Sequence, residues 1–175
     1  MALTTEDGTG RADAESYCSL ADATAYHAAL GNAAWAALAS DALREQALRR
    51  ATAYMGQTYR LRWSGYRKTD TQALDWPRYN VPKPDTTVGR FLTYYSDSIV
   101  PVEVRNACAE LAFRAASGEL AADVGQAVTE RTVGPITTKF AAGSVAVKRY
   151  VAVDRLLAPL LADGGNSSSV RMVRS

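Results

Sequence analysis

The chain has 175 residues, 47% of them hydrophobic and 22% charged, and its 20 basic and 18 acidic side chains leave a formal net charge of +2. A chain of this length makes one domain that buries about 70% of its unfolded surface, so it needs neither disulfides nor a metal to fold. So even a charge balance excludes a protein whose whole surface coats nucleic acid.

Two cysteines far apart, Cys18 and Cys108, and a single histidine, His27, exclude a disulfide framework and a zinc site. The thiols read as free, in a reducing compartment. The N-terminus has neither a basic nor an apolar leader segment, and no apolar run approaches the ~20 residues of a membrane span. The expectation is a soluble cytosolic protein without a membrane partner. It is divided into an extended arm (1–16), a helical domain (17–162) with a β-hairpin near 128–151, and a flexible tail (163–175).

After the arm, Ser19-Leu20-Ala21-Asp22 has a capping-box pattern, and Leu20, Ala23, His27 and Leu30 share a helical face that Gly31 ends. Trp35 and Leu38 follow in a linker expected to tuck under the next helix. Ser40 or Asp41 then caps a helix over Ala42–Met55, with Leu43, Ala47, Ala51 and Met55 recurring every four residues.

From Tyr59 to Lys68 the chain alternates aromatic and basic residues, and residues 41–70 carry seven Arg or Lys against three acids, a local +4. Interleaved arginines and aromatics suit a single-stranded nucleic-acid surface, with bases stacking and cations meeting phosphates. They equally suit an acidic protein partner, or arginines laid over aromatic faces in a solvated loop.

The least generic run is Gln72-Ala73-Leu74-Asp75-Trp76-Pro77-Arg78-Tyr79-Asn80-Val81-Pro82. Each proline fixes its own φ and holds its predecessor extended, so Trp76 is set on a stiffened, non-helical backbone. Trp76, Pro77 and Arg78, with Trp63, are the candidate structural anchor of the domain. The other reading puts Arg78 and Tyr79 on a contact surface.

Lys83–Arg90 is rich in turn residues, and Phe91–Tyr95 is a short aromatic run able to fold back on the domain. Pro101, at the first helical position, opens a helix through Ser117 that Gly118 ends. Cys108 lies in its apolar stripe as a small core hydrophobe, with no histidine beside it to make it a nucleophile.

Beyond Gly125, β-formers predominate, interrupted by Gly134-Pro135, and suggest a ribbon that turns at 141–144. An isolated ribbon is marginal in water, so Val133, Ile136, Phe140, Val145 and Val147 are candidate contacts to a neighbouring subunit or a tail component. A helix over Tyr150–Leu161 follows, then the linker Asp163–Ser169. Val170, Arg171, Met172, Val173 and Arg174 form either a docking peptide or a tail without function. No phosphate loop, metal-ligand spacing or nucleophile elbow is present, and one histidine leaves most acid–base schemes without their central member, so neither enzyme activity nor a cofactor is expected.

Taken as an ordered set, several motifs resemble a family of tailed-phage proteins. They are Ala47-Leu48-Arg49-Arg50-Ala51-Thr52-Ala53-Tyr54, Trp63-Ser64-Gly65, Gln72-Ala73-Leu74-Asp75-Trp76-Pro77-Arg78, Ile99-Val100-Pro101 and Ala107-Cys108-Ala109-Glu110-Leu111-Ala112. Val133-Gly134-Pro135-Ile136 and Val153–Leu161 also fit, so the likeness spans most of 17–161. That family is known as DnaT-like single-stranded DNA-binding protein and is similar to head–tail connector (adaptor, head-completion) proteins.

The resemblance implies a mainly α fold, a small helical bundle with an inserted β-hairpin and extended termini. It implies two alternative functions. One is a structural neck protein of the virion: a homo-oligomeric, dodecameric ring that binds the portal protein and a tail-side stopper or tail-terminator protein. Double-stranded DNA passes through that ring without sequence specificity, and the subunit waits in the host cytoplasm before assembly. The other is a replication accessory that binds single-stranded DNA through Arg60, Arg62, Trp63, Tyr66, Arg67 and Lys68. The balanced charge favours the connector, because tight phosphate binding obstructs DNA passage.

Overall fold

A computed structural model describes residues 2–88, 91–121, 130–133, 136–139 and 148–162. Its elements, in order, are α1 (Leu20–Ala29), α2 (Ala33–Ala36), α3 (Asp41–Tyr59), β1 (Tyr66–Arg67), β2 (Arg78–Tyr79), β3 (Pro82–Val88), β4 (Phe91–Tyr94), α4 (Val102–Ser117), β5 (Glu130–Val133), β6 (Ile136–Lys139) and α5 (Val151–Leu157), followed by a 3-10 turn over Ala158–Leu160. The fold is mainly α, with three small antiparallel hairpins, β1–β2, β3–β4 and β5–β6.

The long helices begin where side chains cap them. Ser19 Oγ accepts from Asp22 N at 3.0 Å and Ser40 Oγ from Leu43 N at 3.3 Å, each satisfying an amide that a helix start leaves open. Pro101 stands at the N-cap of α4, one position before the expected first turn, and Gly31 closes α1 in the left-handed conformation (φ 69°).

α3 and α4 form the central pair, with α1 and α5 packed on α4. Ala47, Leu48, Ala51 and Met55 of α3 meet Val104, Ala107, Cys108, Leu111 and Ala115 of α4 with almost no exposure. Alanine at these positions lets the helix axes approach, and the larger side chains fill the remaining space. Two expected stripe members, Leu30 and Leu43, face outward instead, 61% and 46% exposed. Among the described residues no helix is long and apolar enough to cross a membrane, and no cluster of three His, Cys, Asp or Glu side chains could hold a metal.

The N-terminal arm is extended but tied down. Buried Glu6 folds it: Oε1 accepts from Gly8 N and Gly10 N and Oε2 from Arg11 N, all at 2.9 Å. Thr5 bridges to Ser16, and Arg49 of α3 reaches Glu15 at 2.9 Å. Sequence composition indicates only that the arm lacks regular structure. A single carboxylate taking three amides orders it without any.

One hairpin falls where the sequence suggests a turn-rich loop, and another falls in the expected ribbon but turns at a different place. β3–β4 pairs Pro82 with Tyr94, Thr87 with Leu92 and Val88 with Phe91, with an irregularity between, so the turn-rich stretch and the aromatic run are two strands of one unit. β5–β6 reverses between Val133 and Ile136, where an interruption was expected, and pairs those two residues directly. The turn expected at 141–144 and the candidate residues Phe140, Val145, Val147, Val170, Arg171, Met172, Val173 and Arg174 lie outside the described residues.

Candidate nucleic-acid interface

Residues 59–82 form a loop that leaves the end of α3 and wraps back on itself around two tryptophans. Trp76 has no exposure and Trp63 only 5%. Their rings meet edge to face at 5.8 Å, and Tyr59 packs on Trp63 at 5.9 Å. The Trp76–Pro77 peptide is cis. Neither indole nitrogen has a hydrogen-bond partner among the described residues, so both rings act here as apolar mass.

Polar side chains hold the loop from within. Arg78, 7% exposed, donates from Nε to Ser64 O at 2.8 Å, from Nη2 to Gly65 O at 2.7 Å and from Nη1 to Asp75 O at 3.1 Å. Its planar fork satisfies three carbonyls that bend away from any strand. Buried Gln72 accepts from Thr69 N at 2.8 Å and donates to Leu74 O and Pro77 O. Tyr17, from the end of the arm, accepts the Asp75 amide at 2.9 Å. Gly65 is required at its position, since its φ is +68° and a Cβ would collide with the Tyr79 carbonyl oxygen.

The short hairpin β1–β2 sorts the aromatic-basic stretch into two faces. Tyr66 pairs with Tyr79 and Arg67 with Arg78. Side chains alternate along a strand, so the tyrosines share one face and the arginines the other, where Arg78 is buried and Arg67 stays exposed. Tyr66 is 72% exposed and Tyr79 43%, and neither has a hydrogen-bond or ring partner among the described residues.

Most of the basic residues are engaged inside the protein. Arg67 donates to the Gln72 carbonyl, Lys68 Nζ to Gly8 O at 3.3 Å, and Arg60 Nε to Asp75 Oδ1 at 3.0 Å. Arg44 caps the Trp35, Ala36 and Leu38 carbonyls. Arg62 is exposed, its guanidinium 5.5 Å from the Tyr59 ring centre, and Arg60 keeps 57% of its side chain in solvent. Of the residues proposed to face DNA, Trp63 is therefore in the core, Arg67 and Lys68 fasten the loop, and Arg60 and Arg62 present charge outward.

Tyr79, Gln72, Asp75, Tyr17 and Gly65 shape this region as much as the expected residues do. Tyr79 and Gln72 stand in the conspicuous run itself, but nothing local tells which side chain turns inward. Tyr17 lies far from the loop in the chain, and no sequence signal connects it. Val133 and Ile136 are placed only as facing members of β5–β6.

These features define a class of protein: a small helical domain that displays a two-stranded aromatic hairpin on a rigid loop. The chain belongs to the family described as "Putative DnaT-like ssDNA binding protein", whose model matches residues 1–175. No curated protein and no solved structure matches the chain.

Proposed function

We propose that this protein binds single-stranded DNA through the outward face of β1–β2, with Tyr66 and Tyr79 as the stacking surface and Arg60 and Arg62 meeting phosphates. The observation that carries the reading is the cross-strand tyrosine pair, exposed and without partners on an otherwise well-packed loop. Every base has a π-face, so two rings held by a fixed backbone bind bases without reading their sequence. Membership of the family supports the same reading.

With two cations available, the dependence of affinity on salt is shallow. The slope of log K against log salt is about −1.4 for the Arg60 and Arg62 contacts, from roughly 0.7 per phosphate contact on a single strand. Fluorescence anisotropy with a labelled oligothymidine across a salt series tests this. Replacing Tyr66 or Tyr79 by Ala weakens binding by about 1–3 kcal/mol per ring. Unchanged affinity in the double replacement, or no binding at about 50 mM salt, overturns the proposal.

A second reading, a head–tail connector ring seated on a portal, is favoured by one specific observation. The basic surplus of 41–70 is largely spent on internal carbonyls and carboxylates, which leaves little positive surface to grip DNA. Negative-stain images of the full chain mixed with a portal protein test it. A ring stacked on the portal, with no measurable binding of oligothymidine, replaces the first reading with the second.

A further inference from the structure

Nine tyrosines are spread along the chain, and the fold divides them into two groups. Tyr17, Tyr26, Tyr59, Tyr95 and Tyr150 each engage the hydroxyl with a polar group of the protein. Tyr54 sets its ring edge to face against Tyr150 at 5.5 Å. The other three, Tyr66, Tyr79 and Tyr94, are exposed and have neither a hydrogen-bond nor a ring partner among the described residues. One exposed tyrosine is ordinary. Three that fall on two successive hairpins, β1–β2 and β3–β4, and nowhere else make a surface.

Backbone geometry joins them. β2 runs into β3 through Asn80 and Val81 alone, and Pro82, which opens β3, pairs with Tyr94 of β4. Three residues of extended chain and one strand spacing therefore separate the Tyr79 and Tyr94 backbones, at most about 15 Å.

An unbroken strand would send Tyr79 and Val81 to the same side. Asn80, in the left-handed conformation (φ 57°), breaks that alternation, so Val81 is fully buried while Tyr79 stays out. β4 sorts its own end in the same sense. Tyr95 donates from its amide to Val81 O at 2.9 Å and from its hydroxyl to Glu103 at 3.2 Å, on the core side. Tyr94, the residue before it, turns to solvent and is 52% exposed. Pro82 and Pro84 fix φ on the facing strand, so Tyr94 stands on a stiffened backbone and loses little freedom when its ring is covered.

We infer that Tyr94 is a third stacking position, and that the bound single strand runs from β1–β2 onto β3–β4. Tyr66 and Tyr79 cover neighbouring bases, and Tyr94 covers a base further along. This rests on the single-strand reading above and gives it a length. A ring on an open face meets the flat side of a base, so the longer path stays tolerant of sequence. A strand too short to cross from Tyr79 to Tyr94 uses the first pair alone, and a longer one gains the third ring.

The test titrates full-length protein with labelled oligothymidines of increasing length, from about four to about twelve nucleotides, within the range of single-strand sites. Affinity rises with length and then levels off. In Tyr94→Ala it levels off at a shorter strand, and the twelve-nucleotide strand binds about ten-fold more weakly, the effect of one base–aromatic stack. Tyr94→Phe keeps the ring and binds like the unaltered protein. Because Tyr94 is exposed and without partners, neither replacement moves the thermal melt. Unchanged binding of the long strand by Tyr94→Ala, while Tyr66→Ala weakens it, overturns the third position alone. A loss in Tyr94→Phe as large as in Tyr94→Ala overturns it too, since the ring would not then be what binds. Binding of no strand at any length overturns the proposed function and this inference with it.

Discussion

Removal of the Trp76 side chain tests the packing logic most directly. The residue has no exposure and meets Trp63 edge to face at 5.8 Å, at the centre of the loop that carries the hairpin. Replacing a fully buried Trp by Ala removes its transfer free energy and leaves a cavity, together costing about 3–5 kcal/mol. That is a large part of the roughly 5–15 kcal/mol by which a domain is stable. For a chain of this size each kcal/mol shifts the Tm by about 2–4 °C, so Trp76→Ala lowers it by about 6–20 °C.

Trp76→Phe separates ring from indole nitrogen. Nε1 has no partner among the described residues, so phenylalanine forfeits no hydrogen bond and costs less than about half as much as alanine. Urea unfolding followed by far-UV circular dichroism measures both, free of the lost tryptophan fluorescence. A loss below about 1 kcal/mol for Trp76→Ala at unchanged m refutes the anchor assignment. Equal losses for Phe and Ala would instead place a hydrogen bond on Nε1.

Two further outcomes follow from buried polar groups. Arg78→Lys keeps the charge but cannot span Ser64, Gly65 and Asp75 carbonyls together, so it destabilises by about 2 kcal/mol in the same melt; a neutral result removes the clamp. His27 lies under Trp35 and Phe113; its Nε2–H donates to Ala109 O at 3.0 Å and its Nδ1 accepts from Asn32 at 3.3 Å, with Glu110 and Arg114 nearby. Burial pushes its pKa below the usual 6.5, with the Ala109 contact and Glu110 opposing. The unfolded chain thus binds a proton first, and the stability His27 lends above pH 6.5 is lost as pH falls below it. As the only histidine, it contributes to the slope just below pH 6.5, which His27→Gln flattens; an unchanged slope refutes this.

Sequence alone placed α1, α3, α4 and α5 and several of their caps, because those signals are local, but it left α2 in a linker and ended α3 at Met55, four residues short of Tyr59. Ser19 and Ser40 cap through their own oxygens, Gly31 takes the left-handed turn, and the four-residue recurrence of Ala47, Ala51 and Met55 gives the buried face of α3. It also singled out the Trp76–Pro77 run, since an aromatic beside proline has few backbone options.

Tertiary structure decided what the aromatic-basic stretch does. Period and composition cannot tell an arginine that meets solvent from one that satisfies carbonyls, because the choice depends on where a folded loop leaves its acceptors. Arg78 turned inward, Arg67 reached the Gln72 carbonyl from an exposed position, and Tyr66 and Tyr79 faced outward, once a two-residue strand pairing set their faces. That pairing joins segments eleven residues apart through contacts no local pattern encodes. Tyr17, brought to the Asp75 amide across 58 positions, shows the same limit: propensity acts along the chain, whereas the site is made by packing across it.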